Sequence, residues 1–273
     1  MKRIIAGIAL SFAFCINASA QWEKQKDNSI PTTRDGKPNL SAATPRSREG
    51  KPDLSGVWQS DPDPAGLPKG VETVESITGF GAPRYFVDIT SDLKPNEVPF
   101  QPAAAAAFVQ RLQNQGKDDP IAHCKPTGVP AITNIPVPFK IVQTPGLILI
   151  LYEDSSVFRQ IFLDERKTVA DPQPRWMGYS NGRWDGDTLV VDTTGFTEKS
   201  WLDRLGHTHS DGMHVTERFR RRDIGHLEIE VTVDDPKTYT KPIKYLQKAT
   251  LLPDEDLMEY FCTENEKDIQ NYK

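Results

Sequence analysis

The chain has 273 residues, 33 basic against 38 acidic, with 37% hydrophobic residues, 22 prolines and 18 glycines. A net charge of -5 makes nucleic acid a poor partner. The length suits one large β domain or two small ones, and the Pro and Gly content implies many loops around a modest core.

Residues 1–20 have a basic start (Lys2, Arg3), an apolar run from Ile4 to Ile16 and then Ala18-Ser19-Ala20, the layout of a secretory signal peptide. The apolar run is shorter than the roughly 20 residues that span a bilayer, so no integral membrane segment is expected once the signal is removed. Loss of Lys2 and Arg3 lowers the basic count from 33 to 31 and leaves a mature net charge of -7. A periplasmic or secreted location follows. In an oxidising compartment the two remaining cysteines, Cys124 and Cys262, are expected to pair as a disulfide that ties the start of the sheet to its last strand.

Residues 21–52 are almost without apolar side chains and read as a flexible, solvated leader. They carry a duplicated phrase, RDGKPNLS at 34–41 and REGKPDLS at 48–55. A single domain is then expected from 53 to 273, opening on Gly56-Val57-Trp58. Arg84 to Ile89 reads as a strand. The stretch PAAAAAFVQRLQNQG, with Pro102 at its entrance and Gly116 at its exit, predicts one helix near 102–115, either a lid over a barrel mouth or packed outside a sheet.

Beyond Pro138 the pattern changes to short β-rich runs separated by turn residues. FKIVQT and LILILYED flank Pro145-Gly146, and SVFRQIFLD follows. Asn181-Gly182 and Asp185-Gly186-Asp187 each signal a hairpin turn. In HLEIEVTVDD, Leu227, Ile229, Val231 and Val233 alternate with polar residues, as in a half-buried strand. With MHVTERFRR, KYLQKATLLPD and LMEYFCTEN, these predict about eight antiparallel strands. The fold class is therefore all-β: an up-and-down barrel or strongly curled sheet with one α-helix.

Gly-x-Trp occurs at Gly56-Val57-Trp58 and Gly182-Arg183-Trp184, and lipocalin-like barrels open with such a triplet. More broadly, KPDLSGVWQ, PFKIVQTPGLILILYED, GRWDGDTLVVDTTGF, HSDGMHVTERFRRRD and VTVDDPKTYTKP resemble a large, mostly uncharacterised family of exported bacterial proteins. The resemblance runs in order through nearly all of the chain after Lys51. The family ending Cys-His-Glu-Gly-Asn is replaced here by Cys262-Thr263-Glu264-Asn265, so no role can rest on a histidine after the cysteine.

Three of the five histidines, His207, His209 and His214, fall within eight positions. A cupin-like metal site would need a further histidine on a later strand, and His226 sits in a turn, so no metal is expected. Acid-base chemistry is the alternative: His209 with Asp203 or Glu217 forms a candidate proton-transfer pair. Glu217 lies between Val215 and Phe219 on an apolar strand face, where burial demands a partner such as Arg159. Trp176, Tyr179, Trp184 and Trp201, beside carboxylates, suit stacking on sugars or aromatic compounds.

No serine-hydrolase elbow, nucleotide loop or dinucleotide fingerprint is present, and no cofactor is expected. The sequence therefore implies a pocket for a small organic ligand, with hydrolase, lyase or isomerase chemistry by acid-base catalysis, or binding alone. An envelope structural or interaction module would need no pocket.

Overall fold

Nine strands close into one barrel in the computed structural model, which describes residues 29–63, 82–114, 117–166 and 173–263. The signal peptide expected at 1–20 lies outside the described residues. The first four strands are β1 (Gly56–Ser60), β2 (Phe139–Thr144), β3 (Leu147–Tyr152) and β4 (Phe158–Phe162). They are followed by β5 (Tyr179–Asp185), β6 (Thr188–Thr194), β7 (His214–Asp223), β8 (His226–Asp234) and β9 (Ile243–Leu251). Each strand pairs with the next, and β9 returns to β1 through Trp58↔Leu251. All pairs are antiparallel except β4 with β5, which run parallel at Ile161↔Ser180 and Phe162↔Asn181. The all-β barrel is thus as expected, with one more strand and one parallel pair.

Alternation decides what faces inward. Ile148 and Ile150 of β3, Ile161 of β4, Leu189 and Val191 of β6, Val215 and Phe219 of β7 and the four expected aliphatic residues of β8 are all buried in one core. Pro145-Gly146 makes the β2–β3 turn and Gly186 the β5–β6 turn, both glycines with positive φ. Asn181-Gly182 does not turn the chain; it lies inside β5. A Cβ on Gly182 would come within 2.8 Å of Ile161 and Leu163 side chains, so this glycine serves the close approach of β5 to β4.

Gly-x-Trp at β1 has a different cause. Gly56 has φ +145, and a Cβ there would lie 2.5 Å from Leu251 Cδ1. Trp58 is fully buried and donates from Nε1 to Leu54 O at 3.0 Å. The Arg221 guanidinium packs 4.8 Å from the Trp58 ring centroid and donates to the carbonyls of Asp53, Ser55 and Ile224. Burial pushes the Arg221 pKa down to about 10, which leaves it a cation at neutral pH.

Several expectations for the periphery are corrected. Residues 29–52, expected as a flexible leader, build two similar hairpins from the duplicated phrase. Thr33 N donates to Lys37 O and Ser47 N to Lys51 O, both at 2.8 Å, and Gly36 and Gly50 both take positive φ. The second hairpin is held by Arg46, which forks onto Asp187 at 2.8 and 2.7 Å. The first is held through Leu40 O, which accepts from Gly225 N at 2.8 Å. Backbone, charge and a few apolar side chains make these contacts: Ile30 is buried in the core, and Leu40 and Ala42 pack against it.

Arg84–Ile89 is not a strand: Arg84–Val87 forms the short helix α1, whose Tyr85 ring lies tilted against that of Tyr245 of β9, centroids 4.5 Å apart. The long helix α2 spans Pro102–Gln113. It packs on the loop between β6 and β7, with Phe108 4.4 Å from the His207 ring and Arg111 5.7 Å from Trp201. Its Val109 and Leu112 are half exposed, at 50% and 48%.

LMEYFCTEN is irregular over its described residues rather than a last strand, so β9 alone closes on β1. Cys124 and Cys262 form a disulfide, with Cα atoms 5.5 Å apart across 138 positions. The bridge ties the segment after β9 to the loop before β2, and does not itself join closing strands. The same segment is fixed by Lys140 to Asp256 at 2.7 Å and Ser156 Oγ to Tyr260 O at 3.0 Å. A covalent loop of this length restricts the unfolded chain by about 4–5 kcal/mol in the chain-entropy treatment. Reduction is expected to lower the melting temperature, and Cys124→Ser, Cys262→Ser and the double variant should unfold at the same urea concentration. Additive losses would show that each cysteine acts separately.

Candidate functional site

Two polar centres lie within the described residues, one inside the barrel and one in the loop that joins β6 to β7. The first follows from strand alternation. Arg159 shares the inward face of β4 with Ile161, and Glu217 shares that of β7 with Val215 and Phe219. Arg159 and Glu217 are each about 1% exposed and form an ion pair through Nη2 and Oε2. Arg159 also donates to Ser180 Oγ at 2.9 Å and Thr193 Oγ1 at 2.8 Å, both buried on the facing strands. Burial opposes the Arg159 cation, but Glu217 and the Tyr152 hydroxyl outweigh it and hold its pKa above the ordinary value.

The centre continues toward the end covered by α1. Tyr152 and Tyr245 point in from β3 and β9, and a buried helical turn at Ala131–Asn134 supplies Thr133 and Asn134. Thr133 Oγ1 lies 3.3 Å from the Tyr152 hydroxyl, and Asn134 Nδ2 donates to the Tyr245 hydroxyl at 3.0 Å. Burial raises the pKa of both phenols, so both are neutral donors and acceptors. Arg159 Nη1, Glu217 Oε1 and Asn134 Oδ1 are buried with no partner in hydrogen-bond geometry among the described residues, although the Tyr152 hydroxyl interacts with the Arg159 guanidinium. Each of the three stands out, because leaving a buried polar group unsatisfied costs about 1–3 kcal/mol.

The expected pairing of Glu217 with Arg159 is therefore present, and Arg159 is better tied than the sequence indicated. Asn134, Tyr152 and Tyr245 were missed. Asn134 lies in a Pro-rich stretch without periodicity, and the two tyrosines read as ordinary core. The inward alternation of Tyr152 and Tyr245 was the available signal.

The second centre contains His207 and His209, and the expected partners are exchanged. Asp203 belongs to His207: its Oδ2 is 2.5 Å from His207 Nδ1 and accepts from Ile89 N, while Oδ1 accepts from the backbone of Gly206 and His207. Phe100 and Phe108 stack on the His207 ring at 5.4 and 4.4 Å. Asp88, Asp203 and His207 bring three potential ligand atoms within 4.8 Å of one another. Both Asp203 oxygens and Asp88 Oδ1 are already engaged by protein donors, the latter by Thr90 at 2.7 and 2.6 Å. These hydrogen bonds hold the trio together.

His209 instead makes a pair with Ser200, which the sequence did not single out. Nδ1 donates to Ser210 O at 3.0 Å, leaving Nε2 to accept from Ser200 Oγ at 2.7 Å. His209 shares no hydrogen bond with Glu217 or Asp203. His214 lies on the outer face of β7, 3.2 Å from Asp192, and His226 pairs with Asp223 in the β7–β8 turn at 2.5 Å. The five-residue offset along β5 puts Tyr179 and Trp184 on opposite faces. Tyr179 lies under Arg175 at 4.3 Å, Trp201 is buried beside Arg111, Trp184 packs on the core and Trp176 is half-buried near Gly128. The four rings therefore occupy separate surroundings and do not form a shared stacking platform.

Comparison with known proteins adds no assignment: no family model, no curated protein and no solved structure matches the chain.

The interior pair makes a testable energetic claim. Glu217→Leu, which strands the Arg159 charge in the barrel, is expected to cost about 3–5 kcal/mol in urea unfolding. Arg159→Met/Glu217→Leu should recover most of that loss, and a double variant as unstable as the single would refute the stranded-charge account.

His207 and His209 give opposite pH signatures. Burial disfavours the His207 cation, yet Asp203, and secondarily Asp88, hold its pKa above the ordinary value. Its contribution is complete below the unfolded pKa near 6.5 and is lost as pH rises through the folded pKa. Burial lowers the His209 pKa, so its contribution is complete above about 6.5 and is lost as pH falls. In urea titrations, His207→Gln should remove a loss of stability on the alkaline side. An unchanged alkaline slope would contradict the His207–Asp203 assignment.

Proposed function

We propose that the protein is exported and binds a small organic molecule inside the barrel, between Arg159 and Glu217 on one side and Asn134, Tyr152 and Tyr245 on the other. The observation that carries this reading is the group of three buried atoms, Arg159 Nη1, Glu217 Oε1 and Asn134 Oδ1, without partners among the described residues. A ligand supplying donors and acceptors would satisfy them together. The signal-like residues 1–20, the resemblance to exported bacterial proteins and the disulfide support export. Among the described residues, no helix is long and apolar enough to cross a membrane.

Binding is tested by thermal shift and calorimetry of the purified chain against neutral sugars, sugar acids and small phenols, with Asn134→Leu as the control. A ligand that raises the melting temperature of the native chain and not of the variant supports the reading. A flat response across the panel refutes it.

A second reading, catalysis, is favoured by the Ser200–His209 contact. His209 is held as the neutral tautomer whose Nε2 accepts the serine proton, the arrangement an activated nucleophile requires. Peptide mass spectrometry after treatment with a small fluorophosphonate should find the adduct on Ser200, and none in His209→Ala. An unmodified Ser200 in the folded native chain would leave the binding reading alone.

A further inference from the structure

We propose that the ligand is an uncharged polyhydroxylated molecule, a polyol or neutral sugar, recognised by paired hydroxyl groups. This rests on the interior binding reading and narrows it. Arg159 and Glu217 enter the barrel as opposite charges in direct contact, so the centre is already neutral. A ligand carboxylate aimed at Arg159 Nη1 would be forced beside the Glu217 carboxylate, and an ammonium aimed at Glu217 Oε1 beside the guanidinium. Either ion would shed its hydration and gain an attraction largely cancelled by the neighbouring like charge. A neutral ligand incurs neither cost.

The free atoms also specify a pattern. Arg159 Nη1 needs an acceptor, while Glu217 Oε1 needs a donor. They flank one ion-pair contact, so the ligand must accept and donate over a short span, as adjacent hydroxyls do. Asn134 Oδ1 needs a further donor. Because the Tyr245 hydroxyl accepts from Asn134 Nδ2, its own proton is available for a ligand oxygen. Hydroxyls would serve Asn134 with its amide in either orientation, since each both donates and accepts. The Tyr85 ring lies tilted against that of Tyr245, with centroids 4.5 Å apart.

The test pairs neutral compounds with their oxidised acids on the full mature chain: glycerol with glycerate, erythritol with erythronate, xylose with xylonate, glucose with gluconate. Isothermal titration should show at least one neutral member binding tenfold or more tightly than its acid, and Asn134→Leu weakening it tenfold or more. Glu217→Gln, which leaves Arg159 unneutralised, should reverse the preference toward the acid. The native comparison decides the matter alone if that variant does not fold. An acid that binds as well as or better than its neutral partner overturns the inference and leaves the binding reading intact, as does binding only of phenol, titrated alongside the pairs. No binding by any of these probes, the result expected if only water satisfies the three atoms, overturns both.

Discussion

The Arg159 guanidinium sits inside a barrel whose other inward positions are mostly aliphatic and aromatic, and an ion there has to be neutralised and hydrogen-bonded where it lies. That requirement organises four strands. Glu217 on β7 supplies the opposite charge, while Ser180 on β5 accepts from Nε and Thr193 on β6 from Nη2. The parallel contact of β4 with β5 sets Ile161 beside Ser180 and so brings the serine within reach of Arg159, two residues back on the same face. A hydrophobic pair of similar volume would fill the same space at no electrostatic cost. The polar centre is thus a feature that stability alone does not require, which is why function is sought there.

The two ends of the barrel are closed by different physics. At one end Trp58 fills the interior, and Arg221 covers its ring while gathering carbonyls from the chain that leads into β1. The φ of +145 at Gly56 disfavours a side chain there, and a Cβ would also displace Leu251 Cδ1. At the other end the cover is made by α1 and the turn at Ala131–Asn134, which are short elements held by a tilted tyrosine pair and isolated hydrogen bonds. The polar centre lies beneath that cover.

Much of the barrel was legible because a half-buried strand writes itself as alternation. β8 follows the aliphatic positions Leu227, Ile229, Val231 and Val233 without exception, and the apolar face of β7 disclosed Glu217 and its need for an arginine. Legibility ended where local preference and tertiary contact disagree. Asn181-Gly182 has the chemistry of a turn, but the demand for close approach to Ile161 and Leu163 put it in a strand. Arg84–Val87 has strand-like residues, yet one turn of helix suffices to deliver Tyr85 to Tyr245. Residues 29–52 have few apolar side chains and still fold, because glycine turns and the Arg46–Asp187 fork need none and Ile30, Leu40 and Ala42 join the segment to the core.

The histidines show the same limit at the level of single atoms. His207 and His209 are two residues apart, equally buried, and neighbours of the same acids in sequence. Their difference arises from what each Nδ1 meets. A carboxylate opposite His207 favours a proton on both nitrogens, and its negative charge offsets what burial takes from the cation. A backbone carbonyl opposite His209 asks for one N–H only, so burial prevails and Nε2 remains an acceptor for Ser200. Spacing alone could not distinguish the two, since Asp203 lies close in sequence to both. The loop between β6 and β7 decides the matter by curling Gly206 and His207 back onto Asp203, whose Oδ1 accepts from both backbone N–H groups.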